Sequence, residues 1–124
     1  MLLITAAAVA LGVHAGLVPD QLRDWAPLGA SFIAAAVVLT VGVVWLAVGC
    51  GHCERMAAAL ALLFAVLIVG YLATRLVALP PLDPDREPLD PLGTATTAVE
   101  AAGLLVALRL SRRPPFPSTP GGAP

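Results

Sequence analysis

Three ionisable side chains lie inside long apolar stretches of this 124-residue chain, where a charged group needs a partner. They are His14, Arg75 and Glu100, and Tyr71 lies one helical turn before Arg75. A carboxylate and a guanidinium can form an ion pair, a phenol can donate a hydrogen bond, and an imidazole can exchange a proton near neutral pH. These residue types predict a polar cluster inside a membrane protein.

Two interpretations of this cluster follow from its chemistry. In the first, Arg75 and Glu100 form a structural ion pair that sets the helix register, while Arg75 reaches partly toward the lipid headgroups. In the second, His14, Arg75 and Glu100 line a water-accessible vestibule that binds a small anion or polar solute, or passes protons. One histidine and one carboxylate are too few ligands for a metal ion, and the sequence predicts no cofactor.

A second candidate site is the tetrapeptide Cys50-Gly51-His52-Cys53, which has the C-x-x-C spacing of thiol oxidoreductases. Two thiols at that spacing can form a disulfide bond. Cys50, His52 and Cys53 also form a set of metal-binding residue types. The chain has only these two cysteines, whereas four-helix membrane thiol oxidases relay electrons through a second pair. Redox chemistry, metal capture and an incidental loop sequence all remain open.

Four apolar stretches must position these residues, at 2–18, 28–49, 56–79 and 94–110. A helix that rises about 1.5 Å per residue crosses a hydrocarbon core of about 30 Å in roughly 20 residues. Pro19 is expected to end the first stretch, for which a signal peptide is the alternative, although no positive charge precedes it. We predict an all-α bundle of four transmembrane helices with short loops. Residues 111–124 are predicted to be a disordered, Pro- and Gly-rich tail.

The helix boundaries place the polar residues at one depth. His14 and Arg75 would lie about 6 Å from the outer ends of their helices, and Glu100 about 9 Å. We therefore expect the three side chains to meet beneath the outer headgroups.

Spacing also predicts which helix faces are packed. One face of the fourth stretch carries small and polar residues at helical spacing, and it is expected to point inward; its members are Thr96, Glu100, Gly103 and Ala107. Gly12 and Gly16 form a small pair on the first stretch, which suits a compact bundle or a dimer.

Composition sets the class of protein. The chain is 59% hydrophobic and 12% charged, and its mean hydropathy is +0.91. A soluble domain this small cannot bury so much apolar surface, so the lipid bilayer is the expected partner. The net charge is −1 and no lysine is present, so nucleic-acid binding is not expected.

Arginine positions predict the orientation. If all four stretches cross the membrane, four arginines fall on one side, at 55, 109, 112 and 113. Arg23 and Arg86 fall on the other side beside six carboxylates. The cytoplasmic loops of membrane proteins carry an excess of arginine and lysine. We therefore predict a protein of the bacterial plasma membrane with both termini on the cytoplasmic side.

The overall pattern resembles a group of small four-helix membrane proteins of high-GC bacteria, a group without an established activity. The likeness spans nearly the whole chain apart from the tail. It rests on His14, residues 19–25, Thr74-Arg75 before Leu79-Pro80, and Glu87-Pro88 ahead of Thr97 and Glu100. In that group an acidic residue often occupies the position of Gly93, and a glycine that of Asp90. The resemblance implies the four-span topology.

The leading hypothesis is a non-enzymatic integral membrane protein. It would act as a scaffold or accessory component, in a homo-oligomer or with a larger membrane partner. One competitor is a small-solute or proton-handling protein that uses the polar cluster. The other is a membrane thiol oxidoreductase that uses Cys50 and Cys53.

Overall fold

The computed structural model describes residues 1–49, 53–76 and 89–112, and these residues form four α-helices. The helices are α1 (Leu2–Asp24), α2 (Ala26–Val48), α3 (Cys53–Leu76) and α4 (Pro91–Ser111). Each is long and apolar enough to cross a membrane. The all-α fold class predicted from the sequence is therefore confirmed.

The first helix extends beyond the end predicted at Pro19. Helix α1 contains Pro19 and continues to Asp24, so the predicted boundary is wrong by six residues. A proline removes one backbone N–H donor, but neighbouring helices let an apolar helix continue past it. The connector expected over residues 19–27 is reduced to Trp25 alone.

Trp25 forms the joint between α1 and α2. Its backbone is extended, and its N–H donates to the carbonyl oxygen of Gln21 at 2.9 Å, which ends α1. Its own carbonyl oxygen accepts the N–H of Gly29 at 3.1 Å. Pro27 lies in the first turn of α2, where its missing N–H is not needed. The joint is so short that Leu22 packs directly against Gly29.

The helices are arranged around the bundle in the order α2, α1, α4, α3. Helix α1 packs along α2 and α4, and α3 packs along α4. Helices α2 and α3 touch over a shorter stretch, where Leu60 packs against Gly42. Within the described ranges, no Cα atoms of the diagonal pairs, α1 with α3 and α2 with α4, come within 8 Å of each other. Helix α4 is therefore the common neighbour of α1 and α3.

The core is built mainly from small side chains. Its buried apolar residues in the described ranges are Leu3, Ala7, Ala10, Ala35, Leu39, Ala57, Leu60, Ala61, Phe64 and Ala107. Phe64 of α3 fills the space beside Gly103 of α4, where an added Cβ would lie 2.8 Å from Phe64 Cε2 and 3.0 Å from Ala6 Cβ. Small residues let helices approach closely, which is how helices associate in lipid. This close approach lets α1 and α4 place side chains against each other.

Gly29→Ala should loosen the joint between α1 and α2. The added methyl group would lie 2.6 Å from Leu22 Cγ and 2.7 Å from the Leu22 Cα atom. Because a backbone atom cannot move away by a rotamer change, we expect a loss of about 1–3 kcal/mol in the free energy of unfolding. Thermal unfolding in detergent micelles measures this loss.

Gly70→Ala is the matched control, because nothing lies within 4 Å of a Cβ at that position. Alanine has the better helix propensity, so stability should stay the same or rise slightly. Equal losses in the two variants would contradict a tight joint at Trp25.

Candidate functional site

His14 is buried on the α1 face that also carries Ala7 and Ala10. The residue is 8% exposed. Its Nδ1 atom lies 2.9 Å from the carbonyl oxygen of Ala10, so Nδ1 carries the hydrogen and donates it. The ring of Phe32 from α2 lies beside the imidazole, with ring centroids 5.1 Å apart. These contacts orient the imidazole so that Nε2 faces α4.

Glu100 faces His14 from α4. Its Oε1 atom lies 3.9 Å from His14 Nε2, and the residue is 2% exposed. Among the described residues, no hydrogen-bond donor reaches this oxygen. We call His14 and Glu100 the central pair. The buried residues of α4 confirm the inward face predicted from their spacing; they are Thr96, Glu100, Gly103 and Ala107.

The central pair lies halfway along its helices. The midpoints of α1 and α4 fall at residues 13 and 101. His14 lies about 15 Å from the end of α1 at Asp24, rather than the 6 Å or so expected for a helix that ends at residue 18. The pair is farther from the end of α1 than predicted because Pro19 does not end that helix.

Arg75 has a different partner from the one predicted. In the described residues its Nη2 donates to Asp90 Oδ2 at 3.0 Å, in place of the predicted ion pair with Glu100. Its guanidinium also lies over the ring of Tyr71, 4.7 Å from the ring centroid. Arg75 is in the last turn of α3, beside the start of α4, whereas Glu100 lies about 15 Å farther along α4. The predicted trio is thus divided between two depths.

Tyr71 and Thr94 extend the contact between α3 and α4. The Thr94 hydroxyl donates to the carbonyl oxygen of Asp90 at 2.8 Å, and the Tyr71 hydroxyl lies 3.1 Å from Thr94 Oγ1. Gly93 makes room for this arrangement, because a Cβ there would lie 2.5 Å from Tyr71 Cε2. We call Tyr71, Arg75, Asp90 and Thr94 the end cluster. It joins the end of α3 to the beginning of α4.

Asp90 is the member of the end cluster that was not predicted from the sequence. It caps the N-terminus of α4, where its side chain accepts the backbone N–H of Gly93. That N–H and the Arg75 guanidinium hold the pKa of the Asp90 carboxyl below its usual range. From the sequence alone, Asp90 stood out only as a position at which the resembling group often has a glycine. An aspartate directly before Pro91 and an apolar run is the cap signal that could have identified it.

The Cys-Gly-His-Cys site lies at the edge of the described chain. Cys50 and His52 are outside the described residues, and so is the side chain of Cys53, whose backbone begins α3. The redox and metal interpretations of this site therefore stay predictions. Within the described ranges, no group of three His, Cys, Asp or Glu side chains is arranged to hold a metal ion.

Comparisons with protein-family models, with curated proteins and with solved structures give no match.

Asp90→Ala should destabilise the bundle, because it removes both the cap of α4 and an ion-pair partner of Arg75, whose side chain is largely buried. We expect a loss of about 1–3 kcal/mol in the free energy of unfolding. The pKa of Asp90 is lowered in the folded state, so its contribution is complete above the ordinary carboxyl pKa of about 4. The contribution is then lost as the pH falls through the folded value.

Unfolding measured from neutral to acidic pH tests this, with Asp20→Ala as the control. Asp20 also pairs with an arginine, Arg23 at 3.3 Å, but both side chains are exposed. Asp20→Ala should lower the free energy of unfolding by less than about 0.5 kcal/mol. If the difference in the free energy of unfolding between wild type and Asp90→Ala stays the same at acidic pH, the role assigned to Asp90 is contradicted.

Proposed function

We propose that this chain is a multi-pass protein of a bacterial plasma membrane that acts without catalysis, as a scaffold or accessory component. Membership in the high-GC bacterial group that it resembles is part of the same proposal. The outer surface supports a membrane location. Large apolar side chains are exposed along the bundle, among them Val37, Val41, Val44, Val66 and Val69. Lipid chains are the natural cover for such a surface.

The observation that carries the scaffold role is that polar contacts join different helices. The central pair connects α1 to α4, and the end cluster connects α3 to α4. An isolated polar group in hydrocarbon costs several kcal/mol, so helix arrangements that bring such groups beside each other are favoured over arrangements that leave them facing lipid. The candidate residues His14, Tyr71, Arg75 and Glu100 thus all have a use in holding the bundle together.

The exposed face of α1 supports the partner in this proposal. Gly12 and Gly16 are exposed, and a Cβ at either position would meet nothing within 4 Å. Ala8 and Ala15 are exposed on the same helix. Helices in lipid associate through small residues, which allow close backbone contact. A second copy of this chain, or a transmembrane helix of a larger partner, would suit this face.

The arginines support cytoplasmic termini. Arg55 lies near the start of α3 and Arg109 near the end of α4, so in an antiparallel pair the two lie on the same side. Arg112 adds to that side, and Arg23 lies near the opposite end of α1. The excess of arginine marks the cytoplasmic side.

Cysteine labelling in spheroplasts tests this orientation. A membrane-impermeant maleimide should leave Cys50 and Cys53 unmodified in intact spheroplasts and should label them after permeabilisation, as read by a mass shift. The control places Asp20→Cys in a Cys50→Ser and Cys53→Ser background, because Asp20 is exposed at the opposite end of the bundle. Labelling of Cys50 in intact spheroplasts, with none at the Asp20→Cys position, would reverse the proposed orientation.

A proton-handling protein is the second candidate function, and the burial of Glu100 favours it. A carboxyl group halfway along a membrane-length helix, with an imidazole 3.9 Å away, is a typical arrangement along proton paths. The small-solute form of this candidate would use the same two groups.

Proton flux into liposomes distinguishes the two candidates. In the scaffold role, reconstituted wild-type protein should let an imposed pH gradient decay no faster than protein-free liposomes do, as reported by an enclosed pH-sensitive dye. Glu100→Gln should behave identically, and so should the exposed control Glu54→Gln. Faster decay with wild type that disappears only in Glu100→Gln would overturn the scaffold role and establish the second candidate.

A further inference from the structure

We propose that His14 and Glu100 hold one proton between them and form a proton-dependent latch between α1 and α4. This inference goes beyond the scaffold role, because it makes the contact between two helices depend on the protonation of a single site.

The hydrogen bond of His14 to Ala10 fixes the number of protons. Nδ1 already carries a hydrogen, which it donates to the Ala10 carbonyl oxygen. The two atoms that face each other, His14 Nε2 and Glu100 Oε1, are 3.9 Å apart. A bridging water would need roughly 4.5 Å between them, so the proton is shared directly after a small side-chain rotation. His14 Nε2 and Glu100 Oε1 can therefore share a single proton.

Only the state with one proton leaves the central pair without net charge. With one proton, the pair is either a carboxylic acid beside a neutral imidazole or a carboxylate beside an imidazolium. With no proton, a buried carboxylate faces the lone pair of Nε2. With two protons, a buried imidazolium has no anion beside it. A net charge halfway across the hydrocarbon is strongly unfavourable. The state with no proton and the state with two protons therefore both weaken the contact of α1 with α4.

The surroundings of the pair offer no compensating charge within the described residues. From α2 the neighbour is Phe32. On α4 the Thr96 hydroxyl donates to the carbonyl oxygen of Leu92 at 2.8 Å and is therefore occupied. The ionisable groups of α3 nearest to the pair, Tyr71 and Arg75, are engaged at the end of the bundle with Thr94 and Asp90. The charge of the pair is set by its own proton.

Nitrogen-15 spectra of His14 test the proton count. The chain has two histidines, so His52→Gln leaves His14 as the only imidazole. In histidine-labelled protein in micelles, Nδ1 should be protonated at every pH at which the bundle is folded, and only Nε2 should change on acidification. An Nδ1 that is unprotonated at neutral pH would overturn the proposal, whether or not any variant of Glu100 folds.

The pH dependence of thermal unfolding tests the latch itself. Wild type should be most stable at intermediate pH and should lose stability on both sides. Glu100→Gln should remove the loss on the alkaline side, because an amide cannot become an anion. His14→Gln should remove the part of the acid loss that belongs to the pair, whereas the exposed control Glu54→Gln should keep the wild-type profile. Identical profiles for all four proteins would overturn the latch and would leave the scaffold role intact.

Discussion

A carboxyl group halfway along an apolar helix must find its partner inside the protein, and this bundle is arranged around that requirement. Glu100 meets His14, which places α1 directly against α4. The two helices can approach closely because Ala6 and Gly103 occupy their contact. The one-residue joint at Trp25 then brings α2 alongside α1, where Phe32 covers the imidazole. Burial of the central pair thus depends on the packing of three helices.

Helix α4 gains most from these contacts. It is the least apolar of the described helices, and it packs against both α1 and α3. The central pair joins it to α1, and the end cluster joins its first turn to α3. The most apolar helices, α2 and α3, share the shortest contact and expose large side chains such as Val41 and Val69. The less apolar helices thus make the larger contacts with other helices, whereas the most apolar helices present more of their surface to lipid.

The sequence predicted the parts of this fold that depend on local periodicity. Thr96, Glu100, Gly103 and Ala107 recur at helical spacing, and the structure buries all four on one face of α4. The number of membrane-length helices in the described ranges followed from hydropathy alone. Burial of a polar residue on a periodic face is a local property, and a sequence reports it directly.

Which polar side chains pair with each other between helices was less predictable, because the pairing depends on where the helices begin and end. Pro19 was expected to end α1, and the error placed His14 too near the end of that helix. The same reasoning assigned Arg75 to Glu100, whereas the antiparallel packing of α3 on α4 brings Arg75 to Asp90. Asp90 acts both as a helix cap and as an ion-pair partner. A sequence shows the cap signal, but the pairing depends on the relative positions of two helices.

The most direct test of this account is a double-mutant cycle between His14 and Glu100, read from the free energy of unfolding in micelles. His14→Leu and Glu100→Leu should each destabilise the bundle, because each leaves a buried polar group without its partner. The double variant should recover at least about 1 kcal/mol relative to the sum of the two losses, while Arg75→Leu combined with Glu100→Leu should be additive. Additive losses for His14 and Glu100, with coupling instead between Arg75 and Glu100, would contradict the central pair.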